Sequence, residues 1–361
     1  MIIGSISENK DVERRISITT DIVSKYISQG FKVLIEKDYG DHLGFSNDIY
    51  TKKGCEIDNK DNILKKSNII LQLNLPDQKS LQVIGENKSL IGVFDFHNNR
   101  EKLTNLSNKK INIFSLELLP RITRAQSMDI LSSQANLAGY KAVIESFAYF
   151  SKAIPMMMTA AGTIPAAKVL VIGAGVAGLQ AIATAKRMGA IVFATDVRMA
   201  SKEQVESLGG KFLIVEGSEN LETKEGYAKE TSDDFKNKQE KLLTETLKNI
   251  DIVICTALIP GKKAPLIIKD KMIDVMQSGS VIYDLAASQG GNSAYTKVNQ
   301  IVEKNGVKIL GESNILNKLP VSASNLYAKN LYNFVVNLYD KKNDRINVNL
   351  EDEIIKATLI K

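Results

Sequence analysis

Lys168-Val169-Leu170-Val171-Ile172-Gly173-Ala174-Gly175-Val176-Ala177-Gly178 is the stretch on which the reading of this chain turns. A G-x-G-x-x-G match alone is weak, because loops of such composition occur by chance. Its setting decides: the turn follows four apolar residues, Val169 to Ile172, and opens a helical pattern that runs to about Met188. Gly173 then makes the tight turn, Gly175 lets a pyrophosphate approach backbone N–H groups, Val176 opens the helix, and Gly178 permits close helix-to-strand packing. The helix N-terminus offers partial positive charge to phosphates without a lysine. A second apolar run over residues 190–195 ends in Asp196, 18 residues beyond Gly178, with Val197 beside it. An acidic side chain there accepts hydrogen bonds from the adenosine ribose, and its charge opposes a 2′-phosphate, so the pattern favours NAD over NADP. Arg198 argues the other way, since an arginine can receive that phosphate, but it lies two residues beyond the ribose-reading position. A glycine turn without a nucleotide is the bland alternative, and the complete βαβ setting weighs against it.

Outward from this unit, the first third of the chain alternates short apolar runs with helical patterns. Residues 1–5, 32–36, 68–73, 89–94 and 111–115 read as buried strands between helices, an α/β signature. Residues 127–150 read as one long helix with Leu137, Tyr140, Ile144 and Phe147 on one face and Gly139 as its single break. After the glycine turn, further strands are expected at 212–215, 250–256, 280–285 and 307–310, which makes a second doubly wound sheet. Residues 322–338, with Leu326, Leu331, Val335 and Leu338 at near-helical spacing, return the chain to the first domain. The expectation is therefore an α/β protein of two Rossmann-like doubly wound domains joined by long helices: residues 1–130 with 315–361 form a discontinuous N-terminal domain, and 131–314 a nucleotide-binding one. The strongly polar residues 216–248, with Gly226-Tyr227 among them, read as a flap or as a solvated loop entering an exposed helix.

Composition narrows the class. At 361 residues, two domains are the natural expectation. The net charge of +6 comes from 47 basic and 41 acidic residues in mixed-sign stretches rather than a basic stripe, so nucleic acid is a poor partner. Two distant cysteines, Cys55 and Cys255, and two histidines, His42 and His97, speak against a disulfide framework or a metal site. No apolar run reaches the ~20 residues of a membrane helix, and the opening lacks a signal-peptide core, so a cytoplasmic protein without a membrane span is expected.

A dehydrogenase acting on a hydroxy or amino acid moves a proton as well as a hydride and needs a general acid/base near the nicotinamide. Transfer between two nicotinamides needs alignment only, which suits a sequence poor in such groups.

The sequence from Arg121 to Asp129, Arg-Ile-Thr-Arg-Ala-Gln-Ser-Met-Asp, is followed by Leu131-Ser132-Ser133-Gln134-Ala135-Asn136-Leu137-Ala138-Gly139-Tyr140. With Ala160-Ala161-Gly162, the glycine turn, Thr256-Ala257-Leu258-Ile259-Pro260-Gly261 and Asp284-Leu285-Ala286, it resembles the NAD(H)-binding α subunit, or domain I, of proton-translocating nicotinamide nucleotide transhydrogenases, within the alanine dehydrogenase/transhydrogenase superfamily. Several separate motifs in the right order carry the resemblance over most of the chain beyond about Glu117. It implies that Arg121, Gln126 and Asp129 lie over the nicotinamide with Ser132 close by, that Tyr227 belongs to a mobile loop closing on the nucleotide, and that Thr256, Ala257 and Leu258 join the cofactor site. Gln126 and Asp129 offer a carboxamide partner and a ring-orienting acceptor, and Arg121 can reach the pyrophosphate or Asp129. Helix capping is the plainer role for Asp129 or Ser127.

The resemblance further implies an enzyme of the Si-specific, proton-translocating type that is active only with partners: an NADP(H)-binding subunit and membrane-spanning subunits. A homodimer in the cytoplasm, attached peripherally to the inner membrane through those partners, goes with it. Alanine dehydrogenase is the relative to separate. Arg15 stands where its substrate-carboxylate arginine would be, but Asn74 replaces its lysine and Ser288 its catalytic aspartate. His97 aligns only loosely with its histidine, so Arg15 and His97 are read as structural. An amino-acid dehydrogenase and a non-catalytic NAD(H)-binding module are the alternatives.

Overall fold

The computed structural model describes residues 1–215, 232–259 and 261–361. They form two compact units, Met1–Gln134 with Leu316–Lys361, and Ala135–Ile315. Tyr227 and Gly226, with the rest of 216–231, lie outside the described residues, as does Pro260.

The first unit is built on six parallel strands in the order Glu56–Asp58, Lys32–Glu36, Ile2–Ser5, Ile69–Leu71, Ser89–Gly92, Asn112–Ser115. Its central strands are mostly apolar because helices cover both faces. Ile3, Ile69, Leu71 and Ile91 pack with Ile22, Val23 and Tyr26 of the Thr20–Ser28 helix and Leu331, Phe334 and Val335 of the Pro320–Leu338 helix. Alternate residues Leu34, Ile70, Leu90 and Ile113 face Ile63, Leu64, Leu103 and Leu106. The edge strand Glu56–Asp58 escapes the sequence reading: three residues with charged ends carry no apolar run.

The second unit is built on a seven-stranded sheet in the order Lys211–Phe212, Ile191–Thr195, Lys168–Ile172, Ile252–Cys255, Val281–Asp284, Val307–Gly311, Gln300–Lys304. All pairs are parallel except the last, where Gln300–Lys304 runs antiparallel to Val307–Gly311. That mostly exposed edge strand also lacks the apolar run that marks the others. Leu170, Ile172, Val253, Cys255, Ile282 and Ile309 bury one face of the sheet against Leu243, Leu247, Met272 and Ile273. In both sheets the chain order reverses beside the first strand of that sheet, which creates a switch point between it and the sheet's fourth strand in chain order.

The long helix occupies Ile130–Tyr149, and a 3-10 segment, Thr123–Met128, precedes it. It begins later than residue 127 because Asp129 caps it: Oδ1 accepts from the Ser132 N–H at 2.9 Å. The face expected to be buried also differs. Leu137, Ile144 and Phe147 are only half-buried and Tyr140 is exposed, whereas Ala142, Val143 and Ser146 are buried and Gly139 meets a neighbouring backbone. Small residues on this face let a backbone approach closely, a preference that a count of large apolar residues does not register.

Candidate nucleotide site

At the switch point of the second unit the Lys168–Ile172 strand ends in the glycine turn, and the neighbouring Ile252–Cys255 strand ends in Thr256-Ala257-Leu258. Ligands of open α/β sheets bind outside the carboxyl ends of strands at such a point. Gly173 has φ +92°, and a Cβ there would meet Thr256 Oγ1 at 2.7 Å. Thr256 Oγ1 donates to the Gly173 carbonyl oxygen at 2.8 Å, with that of Ile172 also in reach at 3.1 Å, so this hydroxyl ties the two strand ends together. A Cβ on Gly178 would lie 1.8 Å from the Gly173 carbonyl oxygen, the close helix-to-strand approach that the motif demands. Gly175 is different: nothing lies within 4 Å of its Cβ position, and the Val176–Arg187 helix starts directly after it. That open space, beside N–H groups that have no acceptor within the helix, is the cradle a pyrophosphate fits.

Asp196 follows the Ile191–Thr195 strand and reaches back to the turn, its Oδ2 accepting from the Ala174 N–H at 2.7 Å. Its carboxylate also takes the backbone N–H of Arg198 at 2.8 Å and the Arg198 guanidinium through Nε at 2.9 Å and Nη2 at 2.8 Å. Val197 is half-buried next to it, and Val176 and Leu258 are exposed at the mouth of the switch point.

Two positioning groups were missed by sequence reasoning. Asn292 is fully buried; its Nδ2 donates to the Ala257 carbonyl at 2.9 Å and its Oδ1 accepts from the Ala257 N–H at 3.1 Å. A second Nδ2 bond reaches the Pro265 carbonyl at 2.8 Å. Asp284 in turn holds the Asn292 N–H at 2.7 Å, with Ala286 N–H, Ser293 N–H and Thr296 Oγ1 also donating to it. Burial pushes the Asp284 carboxyl above its ordinary value in spite of those donors. A lone asparagine after two glycines carries no signal of this role. Gly139 makes a further close contact: a Cβ there would sit 2.0 Å from the Ala177 carbonyl oxygen, so the long helix seats directly on the glycine-turn helix.

The residues 121–132 are described within the first unit. Asp129 and Ser132 are joined, Ser132 Oγ donating to Asp129 Oδ2 at 2.5 Å. Arg121 and Gln126 are exposed on the 3-10 stretch and its approach, whose backbone is pinned by Asn330 and Asn333 donating to the Ser127 carbonyl, both at 2.9 Å. Arg124 pairs with Asp352, Nη1 and Nη2 reaching the carboxylate at 2.8 and 2.6 Å. Arg15 is held by Glu13, with Nε at 2.8 Å and Nη2 at 2.6 Å, while its Nη1 donates to Gln134 at 2.9 Å. Asn74 donates through Nδ2 to Glu8 at 3.1 Å. His97 is exposed. Burial raises the Cys255 thiol well above its ordinary value, so it is no thiolate nucleophile at the strand end.

A parallel sheet with a glycine turn and an acidic residue at its switch point defines a dinucleotide-binding α/β protein, and the chain belongs to the alanine dehydrogenase/PNT family. The N-terminal domain model of that family matches residues 4–138 and the C-terminal domain model residues 142–361. The chain is 45% identical to the first part of NAD(P) transhydrogenase subunit alpha of Rickettsia prowazekii, over all of this chain and 94% of that one. The corresponding protein of Rhodospirillum rubrum is also 45% identical, over all of this chain and 96% of the relative. Among solved structures, a transhydrogenase from Sinorhizobium meliloti superimposes with a TM-score of 0.89 at 41% identity, covering 99% of this chain and 98% of that one.

Proposed function

We propose that this chain is the NAD(H)-binding subunit of a proton-translocating transhydrogenase and passes hydride from NADH to NADP⁺ held on a partner subunit. The observation that carries the reading is 45% identity over the whole of this chain to the first part of transhydrogenase α subunits, combined with a glycine turn, an acidic residue and an ordered Thr256-Ala257-Leu258 loop at one switch point. The nicotinamide, when bound, supplies the hydride. The chain's own residues bind and orient: Gly173, Gly175, Val176 and Gly178 receive the pyrophosphate, Asp196 and Val197 the adenosine ribose, and Thr256, Ala257 and Leu258 the cofactor at the neighbouring strand end. Gln126 presents a carboxamide partner to the nicotinamide, the Asp129–Ser132 pair an oriented acceptor, and Arg121 a counter-charge, with Tyr227 closing over the nucleotide. These assignments follow the family resemblance. Direct transfer between nicotinamides asks the protein for alignment rather than proton handling.

The Si-specific stereochemistry, dependence on an NADP(H)-binding partner and on membrane-spanning subunits, a homodimer, and a cytoplasmic location at the inner membrane complete the proposal. Among the described residues no helix is long and apolar enough to cross a membrane. Amino-acid oxidation is disfavoured by specific contacts. The Arg15 fork already grips Glu13, and Asn74, which cannot supply a lysine's charge or proton, is bonded to Glu8. Alanine-dependent reduction of NAD⁺ by the chain alone tests this directly: none is expected, and turnover would restore the dehydrogenase reading. Sedimentation at micromolar concentration tests the dimer, which a monomer would contradict.

A further inference from the structure

We propose that Arg198 sets nucleotide selectivity by occupying the Asp196 carboxylate, so that a ribose must displace its guanidinium in order to bind. The inference rests on the assignment of Asp196 to the adenosine ribose. A carboxylate offers about four acceptor positions. Those of Asp196 are met by four donors: Ala174 N–H, Arg198 N–H, Arg198 Nε and Arg198 Nη2, at 2.7, 2.8, 2.9 and 2.8 Å. The two backbone donors belong to the folded turn and stay. Only the two guanidinium bonds can be exchanged, and they match in number the two hydroxyls of an unphosphorylated ribose. The pair is largely shielded, with side-chain exposures of 17% for Arg198 and 6% for Asp196, so the bidentate contact is stronger than one on an open surface.

Two consequences follow for selectivity. NADH gains two bonds from neutral hydroxyls but gives up a charge-assisted fork, so Arg198 weakens NADH binding. With NADPH, the displaced guanidinium stands two residues from the ribose-reading carboxylate and pairs with the 2′-phosphate, which Asp196 alone would repel. Arg198 therefore narrows the gap between the two nucleotides from both sides. Removing its side chain leaves the Asp196 carboxylate with its two backbone donors and without the guanidinium counter-charge, open to the ribose.

The test is equilibrium binding of NADH and NADPH to the full chain by titration calorimetry, with Arg198→Ala and Arg198→Lys. Arg198→Ala is expected to bind NADH several-fold tighter and to raise the ratio of NADPH to NADH dissociation constants by about tenfold or more, the range of a lost charged hydrogen-bond pair. Arg198→Lys keeps the charge without the planar fork and should fall between wild type and alanine, which secures the test if the alanine variant folds poorly. A ratio that is unchanged or lower in the folded variants overturns the role of Arg198 while leaving NADH binding by the wild type intact. Failure of the wild-type chain to bind NADH removes the ribose assignment and this inference together.

Discussion

Asn292 pairs with both backbone groups of Ala257, accepting its N–H at 3.1 Å and donating to its carbonyl at 2.9 Å. The contact works as a strand would: it gives the loop after the Ile252–Cys255 strand a hydrogen-bonded partner where the sheet has ended. Asp284, at the end of the next strand, fixes Asn292 by its own N–H. Loop order at the switch point is thus transmitted through buried polar groups rather than through apolar packing.

Asn292→Ala leaves the Ala257 N–H and carbonyl and the Pro265 carbonyl without this partner in a half-buried setting. A destabilisation of about 2–3 kcal/mol is expected from unsatisfied groups of this kind, together with weaker NADH binding. Urea unfolding and calorimetric titration check both. Unchanged stability with unchanged affinity would remove Asn292 from the positioning of the loop.

Gly178→Ala puts a methyl 1.8 Å from the Gly173 carbonyl oxygen, and Gly139→Ala one 2.0 Å from the Ala177 carbonyl oxygen. Both neighbours are backbone, which cannot rotate away. Each variant is expected to lower NADH affinity by about tenfold or more, because the helix start proposed to receive the pyrophosphate must move; each tenfold is about 1.4 kcal/mol. Gly175→Ala has open space at its Cβ, so any loss there reports on the bound phosphate and not on strain. Equal NADH affinity for Gly178→Ala and wild type would contradict the packing role.

Two aspartates should respond to pH with opposite signs. Burial raises Asp284 above its unfolded value of about 3.9, so its contribution to stability is full below that value and is lost as pH rises through the raised folded-state pKa. Asp352 is held down at about 2, first by the Arg124 guanidinium, so its contribution is present above about 3.9 and is lost as pH falls through about 2. Relative to wild type, Asp284→Asn should therefore improve as pH rises from about 4 to about 7. Asp352→Asn should be weaker by about 1 kcal/mol at neutral pH, a modest size because Arg124 is half exposed, and should converge on wild type toward about pH 2. Urea midpoints across this range decide it. The same trend for both variants would contradict the assignment.

Much of the fold is legible in the sequence because buried parallel strands must be apolar on both faces. Lys32–Glu36, Lys168–Ile172 and Val307–Gly311 stand out for that reason. The edge strands Glu56–Asp58 and Gln300–Lys304 do not, since an edge keeps charge to discourage pairing with other chains. Gly173 and Gly178 could be read from the turn because each answers a steric demand of the fold itself, a positive φ and a close carbonyl oxygen. Asn292 could not, because its partner is a backbone 35 residues away. Nor could the grip of Arg198 on Asp196: the spacing shows an arginine nearby, and only the fold shows that it bonds to both carboxylate oxygens.

Gln126 is exposed, so truncation should cost the fold little, within about 0.5 kcal/mol. If it aligns the nicotinamide, Gln126→Ala slows hydride transfer far more than it weakens NADH binding. Single-turnover rates compared with dissociation constants separate the two effects, and a pure loss of affinity would end that role.

The most direct test of the central claim is stopped-flow hydride exchange from NADH to an NADP⁺ analogue, with this chain mixed with a purified NADP(H)-binding transhydrogenase domain. Rapid exchange that requires both proteins is the predicted result. No exchange, with NADH bound normally, would contradict the transhydrogenase assignment and leave a nucleotide-binding module in its place.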